Sequence, residues 1–245
     1  MSEIITLDNI SKMFKIPHMH TNNLKTFLLH FRKMRTYEEF YALKEINLEI
    51  KKGEFVGIIG RNGCGKSTLL KIIAGILNPT TGNVYVDGDI APFLELGVGF
   101  NPELSARENI FLYSSILGLT KKEALERYSM ILEFSELERF IDAPLKNFSS
   151  GMQVRLAFSV TIQSNAPILL VDEVLAVGDV SFQEKCFSVF NEFKEQDKTI
   201  VFVSHDMNSI ARFCDRVFLL RSGREAVSGS SHEIINLYLN EMGIS

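Results

Sequence analysis

A run of Gly60-Arg61-Asn62-Gly63-Cys64-Gly65-Lys66-Ser67-Thr68 follows the short apolar segment Phe55-Val56-Gly57-Ile58-Ile59. Glycines at 60, 63 and 65 let the backbone curl tightly, so that successive N–H groups face one point. A helix opening at the end of the run adds the positive end of its dipole. The spacing is G-x-x-x-x-G-K-[ST] in the strand-to-helix setting where that pattern cradles a polyphosphate. Lys66 is the point charge for the β and γ oxygens, and the Ser67 hydroxyl is a Mg²⁺ ligand.

Two further segments carry matching chemistry. Ile168-Leu169-Leu170-Val171 reads as a strand buried on both faces, and it ends in Asp172 and Glu173. Carboxylates at the carboxyl end of such a strand face the ligand crevice. Asp172 is expected to hold Mg²⁺ through water, and Glu173 to orient or deprotonate the water that attacks the γ-phosphate. Thr199 to Val203 is another apolar run, followed at once by Ser204, His205 and Asp206. An imidazole there would bond the γ-phosphate and keep Glu173 and the water in line, so His205 is read as catalytic.

The elements that must position these groups follow from the rest of the pattern. Short β-branched runs (residues 4–7, 46–50, 55–59, 83–86, 168–171, 199–203 and 216–220) alternate with helical stretches, which predicts an α/β layered sheet. The runs at Phe55, Ile168 and Thr199 read as central strands. Those at Ile4 and Asn47 alternate with polar residues and read as an outer antiparallel portion. Lys51-Lys52-Gly53 and Asp87-Gly88-Asp89 predict hairpins. From about 102 to 150, apolar positions at three- and four-residue spacings (Glu108 to Leu117, Lys122 to Phe134) predict an inserted helical subdomain. A second insertion, about 16–40, carries Leu24, Phe27, Leu28, Phe31 and Met34 at helical spacing among Lys25, Arg32, Lys33 and Arg35. It reads as a basic amphipathic helix for anionic headgroups or a membrane partner, or as an ordinary surface helix.

Composition narrows the classes. The 245 residues suit one compact body, and a net charge of −4 lacks the basic field of a general nucleic-acid binder. Three cysteines with no metal-ligand spacing argue against a disulfide framework or a zinc site and fit a reducing cytosol. The N-terminus lacks the basic start and apolar block of a secretory signal. The apolar runs fall far short of the roughly 20 residues that span a bilayer.

Asn147-Phe148-Ser149-Ser150-Gly151-Met152-Gln153 stands before a helical stretch, shortly ahead of the paired acids. Ser149 can cap that helix and, with Gly151 and the free N–H groups, make a second anion site. The segment resembles the signature of the ABC ATPases, L-S-G-G-Q, with Phe148, Ser150 and Met152 departing from the pattern. This resemblance runs over nearly the whole chain. It implies a P-loop NTPase fold with a RecA-like core, an antiparallel β subdomain and an inserted α-helical subdomain. It also implies two copies pairing head to tail, with ATP between one phosphate loop and the partner's signature. Ala176-Val177-Gly178-Asp179 matches the family's D-loop and brings Asp179 to the opposite site. Phe14 matches the aromatic that stacks on adenine, with Tyr41 the alternative. Where relatives carry a Q-loop glutamine, this chain has none, and Glu95 is the nearest polar candidate for Mg²⁺ and the attacking water.

The combination L-E-L-G-x-G-F-x-P-E-L-S, S-S-G-M and D-E-x-L-A-V-G-D resembles the ATPases of exporters for O-antigen and teichoic acid, in a short form without an appended carbohydrate-binding domain. That implies an ATPase at the cytoplasmic face of the membrane, bound to a permease that handles most of the lipid-linked glycan. The alternatives are the ATPase of a lipid, drug or nutrient transporter, or a soluble non-transport relative.

Overall fold

The computed structural model describes residues 2–17, 37–93, 99–172 and 180–243. Among them, the strands form two sheets. β1 (Glu3–Pro17), β2 (Tyr37–Lys51) and β4 (Thr81–Val86) make an antiparallel sheet in the order β2-β1-β4. The second sheet has the order β5-β6-β7-β3-β8-β9, from β3 (Phe55–Ile59), β5 (Ile90–Phe93), β6 (Ile168–Asp172), β7 (Thr199–Val203), β8 (Arg216–Arg221) and β9 (Arg224–Ser230). Its first five strands are parallel, and β9 returns antiparallel to β8.

The unbroken apolar runs have a physical reason. Successive side chains of a strand point to opposite faces, and both faces of this sheet are covered. Ile168, Leu170, Val201, Val203, Phe218 and Leu220 pack on one face, where helix α1 (Lys66–Ile73) lies between the two sheets. Leu169, Val171, Ile200, Phe202, Val217 and Leu219 pack on the other, against α5 (Val180–Glu195), α6 (Met207–Phe213) and α7 (Ser231–Met242).

The two hairpins expected at Lys51-Gly53 and Asp87-Asp89 do not form. Each segment instead carries the chain from one sheet to the other, from β2 to β3 and from β4 to β5. Turn chemistry reverses or redirects a chain; the pairing of the flanking strands decides which. A hairpin that the pattern did not single out joins β8 to β9 through Ser222 (φ 48°) and Gly223 (φ 73°). Positive φ at both central residues matches the right-handed twist of the strands.

Helices α2 (Ala106–Ile116), α3 (Lys121–Ser135) and α4 (Ser150–Thr161) share one core of Ala106, Ile110, Ile131, Leu145, Leu156 and Val160. α2 and α3 each begin at a reciprocal cap, Ser105 with Glu108 and Thr120 with Glu123, so both start before the expected positions. The packing continues past residue 150 into α4. The loop ahead of α2 is held by Asn109, whose fully buried amide accepts from Asn101 N at 2.7 Å and donates to Asn101 O, Leu104 O and Ser105 O at 2.9–3.1 Å. Asn109→Ala strands buried backbone groups. It is expected to cost about 2 kcal/mol and to lower Tm by about 4–8 °C in a thermal melt. The span 24–35 lies outside the described residues.

Candidate functional site

Sheet register brings three of the expected groups to one edge. Ile58 of β3 pairs with Val203 of β7, and Val203 pairs with Asp172 of β6. The chain leaving β3 therefore enters the glycine loop at the level where β7 reaches Ser204 and His205, with Asp172 alongside. This is the carboxyl end of a parallel sheet, where ligands of such folds sit.

The loop itself is tightly confined. Gly60, Gly63 and Gly65 all have positive φ (149°, 77° and 108°). A Cβ on Gly60 would lie 2.3 Å from Leu220 O, and one on Gly65 would lie 2.6 Å from Ala42 O, so two of the three glycines are also required by space. Cys64 is buried against Gly60, and burial pushes its thiol pKa up, which keeps it a neutral packing group. The β8–β9 turn braces the loop from outside: Gly223 N donates to Cys64 O at 2.9 Å, and Gly223 O accepts from Lys44 N at 2.6 Å.

Lys66 is buried in this cradle, its Nζ donating to Gly60 O at 2.9 Å and Arg61 O at 3.2 Å. The two carbonyls hold the ammonium over the loop. Ser67 is exposed in the first turn of α1, Thr68 is half-buried beside it, and Asn62 and Gly63 are exposed at the tip. At the end of β7, Ser204 Oγ accepts from Asp206 N at 3.0 Å. Asp206 caps α6 by accepting from Asn208 N at 3.0 Å and Ser209 N at 3.2 Å. His205 is thus exposed on a corner fixed on both sides.

Among the described residues, no group of three or more His, Cys, Asp or Glu side chains is placed to hold a metal ion. One hydroxyl and one carboxylate fit Mg²⁺, which keeps waters and takes substrate phosphates as ligands in place of an all-protein cage. The loop, with its three positive-φ glycines and its buried ammonium held on Gly60 O and Arg61 O, fits the triphosphate.

The remaining expected residues lie elsewhere. Ser149 caps α4, its Oγ accepting from Met152 N at 3.2 Å, and it is exposed with Gly151 half-buried behind it. Neither lines the cavity against the phosphate loop. Phe14 sits opposite Phe40 across β1 and β2, with the Lys12 ammonium 5.4 Å from its ring centre. Phe40 and Tyr41 line that cavity, and Phe14 does not. Glu95, Glu173 and Asp179 lie outside the described residues.

Comparison with known proteins adds the family. The model described as ABC transporter matches residues 43–176. The chain is 44% identical over 245 residues to the O-antigen export system ATP-binding protein RfbB of Klebsiella pneumoniae, covering 99% of this chain and 100% of that one. It is 41% identical over 239 residues to the teichoic acids export ATP-binding protein TagH of Shouchella clausii, covering 97% of this chain and 66% of that one. Among solved structures, the dimeric post-hydrolysis state of the ATP-binding cassette MJ0796, bound to ADP and Pi, superposes with a TM-score of 0.75 at 30% identity, covering 93% of this chain and 98% of that chain. Motif, sheet order and these likenesses agree that the chain belongs to the ABC transporter family, as an ATPase subunit related to those of O-antigen and teichoic acid export systems.

Proposed function

We propose that two copies of this chain enclose MgATP and, through its hydrolysis, drive a separate permease that exports a lipid-linked polysaccharide across the cytoplasmic membrane. The observation that carries the hydrolytic part is the level register of Ile58, Val203 and Asp172, which supports a site shared by the loop, His205 and Asp172. Lys66 and the loop N–H groups bind the phosphates. Ser67 and Asp172 hold Mg²⁺, which neutralises charge on the phosphate oxygens when bound. Glu173 takes the proton of the attacking water, and His205 keeps that water and the γ-phosphate in line. Glu95 is assigned to the same cation and water, in the place of the missing glutamine. Ser149 and Gly151 of a second copy, with its Asp179, close the site, and Phe14 or Tyr41 stacks on the adenine.

The pairing is supported by the dimeric ATP-binding cassette with which the fold superposes. The cargo rests on the end-to-end likeness to the RfbB chain. A cavity of about 630 Å³ between α2, β5 and the end of α4, walled by Ile90, Pro92, Tyr113, Ile116 and Leu119, supports a permease contact on that side. The amphipathic 24–35 span is assigned to the membrane-facing side of the same assembly. The test is deletion of the gene. Lipid-linked glycan is expected to accumulate inside the deletion cells, and in a strain complemented with the tagged chain that chain is expected to copurify with a multispanning partner. Normal glycan export in the deletion strain contradicts the cargo.

A further inference from the structure

A second cavity, of about 640 Å³, opens on the β8 side of the phosphate loop, on the flank opposite Asp172 and His205. Its volume is that of a small-molecule site. The loop residues 60–64 form its floor. Phe40 and Tyr41 of β2 stand on one side, each nearly half exposed. The other side comes from the C-terminal helix α7, with Tyr238, Glu241 and Met242, and from Arg221 at the end of β8. Arg221 Nε donates to Glu241 Oε2 at 3.0 Å, and its Nη2 pairs with Glu241 Oε1.

A triphosphate seated in the loop with its γ end toward Asp172 and His205 leaves its nucleoside on the other flank. That flank is this cavity. Phe40 and Tyr41 offer ring faces for a base. Glu241 is an acceptor-only group. The Arg221 fork fixes the carboxylate plane and leaves lone pairs on both oxygens.

We propose that the C-terminal helix is a wall of the nucleoside subsite, and that the Arg221-oriented Glu241 carboxylate accepts a hydrogen bond from an N–H or O–H donor of the bound nucleoside. This rests on the phosphate-loop reading given above. It adds to that reading a specificity-determining residue 36 positions beyond His205, on an element that the motifs do not touch. The donor is either a ribose hydroxyl or the exocyclic amine of the base, and nucleotide variants separate them.

The test is calorimetric titration, with Mg²⁺ present, of ATP and of inorganic tripolyphosphate into the wild-type chain and into E241A and M242W. Glu241 and Met242 are partly exposed, so both variants are expected to keep the wild-type Tm. E241A is expected to weaken ATP by about threefold to tenfold and to leave tripolyphosphate unchanged. M242W, which fills the cavity, is expected to weaken ATP about tenfold or more, again sparing tripolyphosphate. In the wild-type chain, loss of affinity for 2′-deoxy-ATP identifies the hydroxyl as donor, and loss for inosine triphosphate identifies the amine. ATP binding equally well to wild type and M242W overturns the proposal, as does an equal loss of ATP and tripolyphosphate in E241A. Failure of the underlying reading is distinct: tripolyphosphate then binds neither the wild-type chain nor any variant.

Discussion

Lys66→Ala is expected to abolish nucleotide turnover while leaving the chain folded. The ammonium is buried and donates to the carbonyls Gly60 O and Arg61 O, whose dipoles hold it at the loop. A phosphate arriving in the loop offers it full negative charge. Charge-assisted hydrogen bonds are worth about 1.5–3 kcal/mol each. Two of them lost to the β and γ oxygens weaken ATP by about a hundredfold or more. The loop keeps its own bracing, because Gly223 N to Cys64 O and the packing of Gly60 and Gly65 against Leu220 O and Ala42 O do not involve the lysine side chain. ATP titration and phosphate release read the loss, and an unchanged far-ultraviolet spectrum reads the fold. Wild-type turnover in this variant contradicts the phosphate role.

Glu173→Gln is expected to separate binding from hydrolysis. The amide keeps the shape of the carboxylate and loses its basicity, so kcat falls by about 10²–10⁴-fold, while the affinity for ATP holds. If hydrolysis releases the closed pair, a variant that binds without hydrolysing accumulates as an ATP-dependent dimer. Light scattering with and without MgATP checks this, alongside single-turnover phosphate release. A variant that hydrolyses at the wild-type rate removes Glu173 from the role of base. His205→Ala is the companion, expected to slow turnover without loss of ATP affinity, since a positioning group acts on geometry.

The parts of this molecule that were legible in its sequence are those where one physical requirement acts alone. The strands at Phe55, Ile168 and Thr199 are unbroken apolar runs because both sheet faces are covered, and their residue types report that directly. The loop at 60–68 was legible because tight backbone curvature, a buried ammonium and a helix start are each satisfied by very few residues at fixed spacing. What the pattern did not give was the decision between partners. Gly53 and Gly88 mark turns, but nothing local says that β2 and β3 belong to different sheets. Ile90–Phe93 is short and holds a proline, so it does not read as a strand; it gains that role by pairing with β6 at the sheet edge. Apolar spacing places the starts of α2 and α3 late, at Glu108 and Lys122, because it begins only inside each helix, whereas the reciprocal caps open ahead of it, in S-A-R-E and T-K-K-E.

The candidate site divides in the same way. Asp172 and His205 were legible as strand-end groups, and register explains why their distance in sequence does not matter. The bracing of the loop by Gly223, and the presence of α7 beside it, come from contacts between remote segments and leave no local signal. Phe40 and Tyr41 rather than Phe14 line the cavity at the loop for a related reason: they stand on β2, whereas Phe14 stands on the neighbouring strand β1, one strand further along the sheet.

The claim on which everything else depends is that the glycine loop, closed by Lys66, takes up a magnesium-bound nucleoside triphosphate. Calorimetric titration of MgATP into the wild-type chain tests it most directly. Saturable uptake is expected, and it is expected to disappear in Lys66→Ala at unchanged Tm. Cooperatively melting wild-type protein that releases no heat of binding with MgATP contradicts it.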